Sequence, residues 1–181
     1  MKTVGVGWWT VGMVTLESWS EQDFGLLERC NTPEMTAHLG GPETPEKVRD
    51  RHRKYAENAF TGQMFVIVTE DGERAGLIGY WEHADDPEHT ETVWETGWAV
   101  LPEFQGRGLA ALAVQAVAEV ARAAGSYRTL HAYPGVTNAA SNALCRKAGF
   151  SLVRERDFEY PKGHWMRCND WSLDLRRPCG R

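Results

Sequence analysis

A chain of 181 residues with 42% hydrophobic and 25% charged side chains fits one globular domain, which buries roughly 70% of the surface it exposes unfolded. That balance excludes disordered, fibrous and disulfide-framework chains and argues against two full domains. A formal charge of −5 without a dense basic stripe argues against nucleic acid as a partner.

After Lys2 the chain runs through about fourteen uncharged residues. Three glycines, two tryptophans and no small-residue cleavage site fit a leader badly, and the run is too short to span a bilayer. The expected element is a Gly-interrupted strand or hairpin, with Val11 to Ser18 as strand. Ser20 then offers an N-cap to a short helix with Phe24, Leu26 and Leu27 on its apolar face. Thr32-Pro33-Glu34 restarts a helix that Gly40-Gly41-Pro42 stops, and Thr44 with Pro45 behind it opens a longer one running to about Phe60. Its basic window, Lys47 to Lys54, reads first as a solvated face and second as an anion site.

Met64 to Thr69 and Arg74 to Glu82 are β-rich runs joined by the turn Glu70-Asp71-Gly72-Glu73, and Thr92 to Val100 is a third. Gly108 to Ala124 sets Leu109, Leu112, Ala113, Ala116, Val117 and Val120 on one helical face, ended by Gly125. A strand at Thr129 to Tyr133, a helix at Asn138 to Lys147 and a strand pair at Phe150 to Tyr160 and Trp165 to Leu175 complete the series. No repeat or linker interrupts it, so residues 1–181 read as one α+β domain. Cys30, Cys145, Cys168 and Cys179 lie far apart, with no C-x-x-C pair and no His at zinc spacing. They read as reduced thiols of a cytoplasmic protein and not as a metal site.

Chemistry concentrates in Gly97 to Ala110, GWAVLPEFQGRGLA, a strand, a glycine loop and the start of the long helix. Small residues at Gly106, Gly108 and Ala110 let successive backbone N–H groups face an anion, and the helix adds its positive N-terminal dipole. Such a loop suits a phosphate or pyrophosphate. It lacks the Lys-Ser/Thr ending of nucleotide P-loops and the G-x-G-x-x-G of dinucleotide folds.

The pattern Gln105-x-x-Gly108-x-Ala110 resembles the pyrophosphate loop of the GCN5-related N-acetyltransferase (GNAT) superfamily. A second block, Asn138-Ala139-Ala140-Ser141-Asn142-Ala143-Leu144-Cys145-Arg146-Lys147-Ala148-Gly149-Phe150, is similar to that superfamily's N-x-x-S/A-x-x-x-x-x-K-x-G-F segment. Leu16 to Asp23, Phe65 to Val68 and Gly76 to Gly79 resemble its ribosomal-protein N-terminal acetyltransferase branch, so that the likeness spans roughly residues 11 to 175. The resemblance implies a central mixed, mostly antiparallel twisted sheet, splayed after the fourth family strand (here Thr92 to Val100) and flanked by about four helices. It also implies acetyl-CoA as co-substrate and no metal. Gln105, Gly106, Arg107, Gly108, Leu109 and Ala110 would hold the pyrophosphate, and backbone groups of Trp98, Ala99 and Val100 the pantetheine and acetyl carbonyl. Asn138 would reach the pantetheine arm, cap its own helix, or do both.

Direct transfer to a neutral amine in a ternary complex needs a proton acceptor, donors at the developing oxyanion and a proton for the thiolate. Glu95 lies beside the expected acetyl site, on the face of Gly97 and opposite Trp94 and Trp98; it reads as base, ammonium ligand or plain strand residue. Many family members carry a Tyr acid where this chain has Cys145, so Ser141, which occupies a serine position of the ribosomal-protein branch, is preferred, with Cys145 second. His131 reads as base, relay, substrate contact or satisfied core histidine. Glu82 to Glu91 holds five carboxylates and no Lys or Arg, so Asp85, Asp86 and Glu88 read as a solvated loop or a negative rim for a cationic amine. Trp8, Trp9, Trp81, Trp94, Phe158, Tyr160 and Trp165 wall the substrate or fill the core. The expectation is an acetyl-CoA-dependent N-acetyltransferase, monomeric or homodimeric, acting on a small cationic amine of the aminoglycoside type. The alternatives are a protein α-amino acetyltransferase and a non-catalytic CoA-binding sensor.

Overall fold

The computed structural model describes residues 9–83, 91–159 and 163–176. Strands β1 (Trp9–Val11) and β2 (Val14–Ser18) open the chain, followed by helices α1 (Phe24–Arg29) and α2 (Pro45–Ala56). Strands β3 (Gly62–Thr69), β4 (Arg74–His83) and β5 (Val93–Val100) lead into helix α3 (Leu109–Ala124). Strand β6 (Thr129–Ala132), helix α4 (Ala139–Lys147) and strands β7 (Ser151–Glu159) and β8 (Trp165–Asp174) complete the fold. All eight strands form one sheet, ordered β1-β2-β3-β4-β5-β6-β8-β7. Only β5 and β6 pair in parallel, so the sheet is mixed and mostly antiparallel, as expected.

The hydrophobic pattern explains this order. Apolar runs in β3 and β4 are buried almost end to end, which marks them as central strands covered on both faces. Helix α3 lies across β1 to β5 and buries Ala113, Val114, Ala116, Val117, Ala118 and Ala121. Its small side chains let the helix approach the sheet closely. The Glu70-Asp71-Gly72 turn forms as expected, with Gly72 at φ 78°. Helix α2 starts on its Thr44 cap and Pro45, and its basic window is a solvated face in which Arg49 pairs with Glu46 and Arg53 with Asp50.

Three expectations shift. Val11 to Ser18 is not one strand: Gly12 takes φ 58° and turns the chain between Val11 and Val14, which gives the hairpin among the two forms expected there. Helix α2 stops at Ala56 instead of Phe60, where Asn58 adopts φ 48°. Residues 32–40 form turns and not a helix. There the buried Thr36 hydroxyl donates to the Thr32 carbonyl at 2.7 Å, and the later amides of Leu39 and Gly41 converge on the Thr36 carbonyl. A side chain that competes for the backbone in this way, followed by paired glycines, leaves no regular ladder. Among the described residues, no helix is long and apolar enough to cross a membrane.

Gly76 sets how closely β4 approaches β5. A Cβ there would lie 2.1 Å from the Ala99 carbonyl oxygen and 2.9 Å from Val100 Cα, backbone atoms that cannot rotate away. Gly76→Ala is expected to destabilise the fold by about 3 kcal/mol or more. At roughly 2–4 °C per kcal/mol for a chain of this size, the thermal midpoint should drop by about 6–12 °C in a circular-dichroism melt. A midpoint within 2 °C of the parent would show that the strands separate there without cost.

Candidate active site

Two neighbouring strands part company at the centre of the sheet. β5 pairs with β4 along its whole length, from His83↔Val93 to Gly76↔Val100. Toward β6 its register consists of Trp94↔Leu130 and Glu95↔His131 and then ends. β6 stays with β8 instead, from Thr129↔Asp174 to Ala132↔Trp171, and the bond from Asn169 N to Pro134 O and the bridge Gly135↔Cys168 extend that zipper. The N–H of Leu101 donates to Ala75 O at 2.9 Å, on the β4 side. Backbone direction alternates along a strand. The peptide groups of Trp98 and Val100 therefore face the opening, while those of Ala99 are spent on Leu77 of β4.

The chain leaves β5 through a tight turn at Pro102–Phe104 that buries Phe104. Gln105 Nε2 donates to Val100 O at 2.8 Å, so this side chain ties the loop to the strand end. The Arg107 guanidinium covers the Phe104 ring at 5.3 Å. Gly106 and Gly108 take φ 74° and 78°, conformations that turn successive amides the same way. Gln105 and Gly106 form a hydrogen-bonded turn that ends at Arg107, while the N–H groups of Gly106, Gly108, Leu109 and Ala110 donate to no backbone acceptor, and where Cβ atoms of Gly106 and Gly108 would stand there is open space. Four donors at the N-terminus of a 16-residue helix are oriented as an anion site requires.

On the far side of the opening, Asn138 Oδ1 accepts from Ser141 N at 3.1 Å, so Asn138 caps α4 and keeps its amide NH2 for another acceptor. Ser141 is half-buried in the first turn. Asn142 anchors the helix: its Nδ2 donates to Gly135 O and Asn138 O, and its Oδ1 accepts from Asn169 Nδ2 and Trp171 Nε1. Cys145 is fully buried, and burial pushes its thiol up to about 12, which deprives it of both access and acidity as a proton donor.

The register gathers titratable side chains on the opposite face. Glu95 lies opposite Trp81 and beside His131, and Ser172 lies opposite His131, so these residues share a face with His83, Tyr133 and Asp170. Glu95 Oε2 is 2.7 Å from His83 Nδ1. His131 is buried, with Nδ1 2.7 Å from Asp170 Oδ1 and Nε2 3.1 Å from Ser172 Oγ. Tyr133 lies between the two imidazoles, its ring centroid 5.3 Å from His83 and 6.0 Å from His131. The Trp81 indole rests on Gly97, where a Cβ would come within 2.9 Å of Cη2. Trp94 is core, packed between Tyr80 and Tyr127, whereas Trp9 and Trp165 are exposed.

The structure thus brings together Glu95, Trp81 and His131 on one face, and Trp98, Val100 and the loop of residues 105–110 along the opening with Asn138 and Ser141. Trp8, Asp85, Asp86, Glu88 and Tyr160 lie outside the described residues, as does the Phe158 side chain. The sequence reading missed His83, Tyr133, Asp170, Ser172 and the anchor Asn142. Only the pairing register sets these residues beside Glu95, His131 and α4, and strand-by-strand periodicity does not supply a register. Among the described residues no group of three or more His, Cys, Asp or Glu is placed to hold a metal.

The chain belongs to the GNAT acetyltransferase family: the acetyltransferase (GNAT) domain matches residues 13–151. Solved structures agree on the fold. The RimL ribosomal L7/L12 α-N-protein acetyltransferase superposes with a TM-score of 0.73 at 21% identity, covering 96% of this chain and 97% of that one. The aminoglycoside acetyltransferase AAC(6')-Ib in complex with coenzyme A gives 0.72 at 18%, covering 90% and 95%. The yncA protein of Salmonella typhimurium with acetyl-CoA gives 0.71 at 21%, covering 92% and 98%. No curated protein matches the sequence.

A pH prediction follows from the buried thiols. A thiol raised above its ordinary value of 9.0 supports the fold fully below pH 9, and that support is lost as pH rises through the folded value. Burial holds Cys145 at about 12 and Cys30 and Cys168 at about 11. The unfolding free energy should therefore fall as pH rises above 9, less steeply in Cys145→Ala than in the parent. Denaturant titrations at two alkaline pH values measure this, and equal slopes would show that Cys145 does not contribute.

Proposed function

We propose that the protein transfers the acetyl group of acetyl-CoA directly to a primary amine of a small cationic molecule of the aminoglycoside class. The observation that carries the cofactor reading is the set of unengaged amides at Gly106, Gly108, Leu109 and Ala110 at the start of α3, in open space beside a parted strand. Backbone N–H groups and a helix dipole suit a pyrophosphate. The peptide groups of Trp98 and Val100 would pair with the pantetheine and polarise the acetyl carbonyl, and the Asn138 amide would steady the same arm. Acetyl-CoA, when bound, supplies the activated acyl carbon.

This chain's residues would divide the proton work between two sides. The site built on Glu95 takes the proton from the attacking amine, and Ser141 in the first turn of α4 serves the departing thiolate. His131, buried with both ring nitrogens engaged, is placed to support that face from behind, while Trp81 offers an apolar wall beside Glu95. The preference for a cationic acceptor rests on the five carboxylates of residues 82–91, one at the end of β4 and four in the sequence that leads to β5. The likeness to RimL favours a protein α-amino group as the second reading. Buried free thiols at Cys30, Cys145 and Cys168 suit a reducing cytoplasm.

Release of CoA thiol with kanamycin, spermidine or a seryl hexapeptide tests the assignment. Turnover of kanamycin or spermidine supports it, and turnover of the peptide alone replaces it with the protein-acceptor reading.

Gly108→Asp should weaken acetyl-CoA binding at least 100-fold by calorimetry, because it sets a negative charge in an anion site. Gly108→Asn tolerates the left-handed backbone without the charge and should lose much less. Equal losses in both would place the effect in the backbone and not in a pyrophosphate.

If the carboxylates attract the acceptor, kcat/KM for kanamycin should fall as ionic strength rises, with a Debye length of about 10 Å at 0.1 M. Replacing Asp85, Asp86 and Glu88 by Asn, Asn and Gln should raise the kanamycin KM and flatten the salt dependence while sparing acetyl-CoA affinity. An unchanged salt slope removes the support for a cationic acceptor.

A further inference from the structure

We propose that Gln105 is a positioning residue that fixes the register between the anion loop and the parted strand, so that one carrier molecule meets both at once. The proposal deepens the acetyl-CoA reading and rests on it. The family likeness implies Gln105 as a pyrophosphate contact. Its side-chain nitrogen instead donates to Val100 O at 2.8 Å, at the end of β5.

Two donor sets have to act together on the proposed carrier. The N–H groups of Trp98 and Val100 face the opening along β5, and the amides of Gly106, Gly108, Leu109 and Ala110 stand at the start of α3. Residues 101–105 join the two sets. A ligand with one end in each gains from the second contact only where the separation of the two sets is held to its own length.

The Val100–Leu101 peptide unit supplies the fixed point. Its N–H, from Leu101, donates to Ala75 O of β4 at 2.9 Å, and its C=O, from Val100, accepts from Gln105 Nε2. The unit is clamped from both sides, and each bond polarises the other. Because β4 is buried almost end to end in the middle of the sheet, the clamp carries the rigidity of the core into the loop.

The other ties of the loop do not replace it. Phe104 N donates to Leu101 O at 2.9 Å and Gln105 N to Pro102 O at 3.2 Å, but both bonds lie inside the turn. The ion pair of Arg29 with Glu103 is exposed on both sides and contributes little. Arg107 covers the Phe104 ring, again within the loop. The buried Phe104 ring packs without direction and sets the depth of the turn, whereas a hydrogen bond is directional and sets its angle. Beyond Gln105, Gly106 and Gly108 have no side chain to anchor, and the next buried side chain is Leu109, already in α3.

The test splits the carrier into its halves. Acetyl-CoA, 3′-phospho-ADP and S-acetylpantetheine are titrated into the parent and into Gln105→Met, which keeps the length of the side chain and loses the donor. Calorimetry reads the first two and NMR shift titration the third. The position is exposed, and matching thermal midpoints establish that the two folds compared are the same. Gln105→Met should bind acetyl-CoA about tenfold more weakly, the scale of one hydrogen bond, while each half stays within about twofold of the parent. In the ligand-free variant the Leu101 amide proton should move upfield, because its bond to Ala75 is no longer reinforced. A loss of 3′-phospho-ADP affinity equal to the loss for acetyl-CoA makes Gln105 a phosphate-side residue and overturns the proposal. An acetyl-CoA affinity equal to the parent's overturns it as well, as does an unmoved Leu101 shift. A parent that binds none of the three ligands overturns the cofactor reading itself, and the register role falls with it.

Discussion

The opening in the sheet depends on β6 pairing with two strands of unequal claim. Its parallel register with β5 ends at Glu95↔His131, while its antiparallel register with β8 continues to Ala132↔Trp171 and is prolonged by the bond to Pro134 O and the bridge at Gly135. Antiparallel pairing is somewhat the more stable per residue, so the longer zipper wins and draws β6 away. β5 cannot follow, because β4 holds it as far as Val100 and Leu101. The result is a slit in a sheet that is otherwise closed. Backbone groups of Trp98 and Val100 line it, and in a fully paired sheet they would have been consumed.

On the proposed reading the loop after β5 makes that slit a binding site. Gln105 closes the turn by bonding the Val100 carbonyl, and Phe104 plugs the core beneath it. The two left-handed glycines spend no side chain, so that the amides of Gly106, Gly108, Leu109 and Ala110 stay available. Helix α3 is held rigidly by its alanine-rich buried face, and its dipole therefore points at a fixed place. A pre-organised donor set of this kind needs no rearrangement on binding an anion.

The sequence made the long elements and the glycine turn at residues 105–108 legible because their signals are local. Gly108 to Ala124 carries its periodicity within one helix, and Gly106 and Gly108 carry their backbone requirement in their identity. The segment at residues 32–40 was misread for the same reason: Pro33 is a local helix signal, but the Thr36 hydroxyl and the tandem glycines compete with it. Glu95 stands out in the sequence because it lies in the strand beside the loop. His83 does not, because nothing short of the β4–β5 register tells that a residue at the end of one strand meets a carboxylate near the start of the next. Asp170 and Ser172 reach His131 from a strand that follows much later, and that pairing too belongs to the topology. Asn142 lay within a recognised block, yet its bonds to Trp171 and Asn169 depend on where α4 lands.

The two faces of the slit now have distinct chemistry. Trp171 and Asn169 point to the α4 side, where Asn142 binds both, whereas the alternating Asp170 and Ser172 point to the side of Glu95 and His83. On the proposed reading the amine gives up its proton on one face while the thiol collects one on the other, near Ser141. The acyl carbon would lie in the opening between them. That division makes a tyrosine at the position of Cys145 dispensable. Cys145 is enclosed beneath α4 and holds its proton tightly, so the helix core at that point packs and does not react. A leaving thiolate is a modest base and needs only a nearby hydroxyl or solvent at the slit, whereas an ammonium must lose its proton before the amide can form. The more demanding half of the proton traffic thus falls on the face where the sheet has gathered two imidazoles, each held by its own carboxylate.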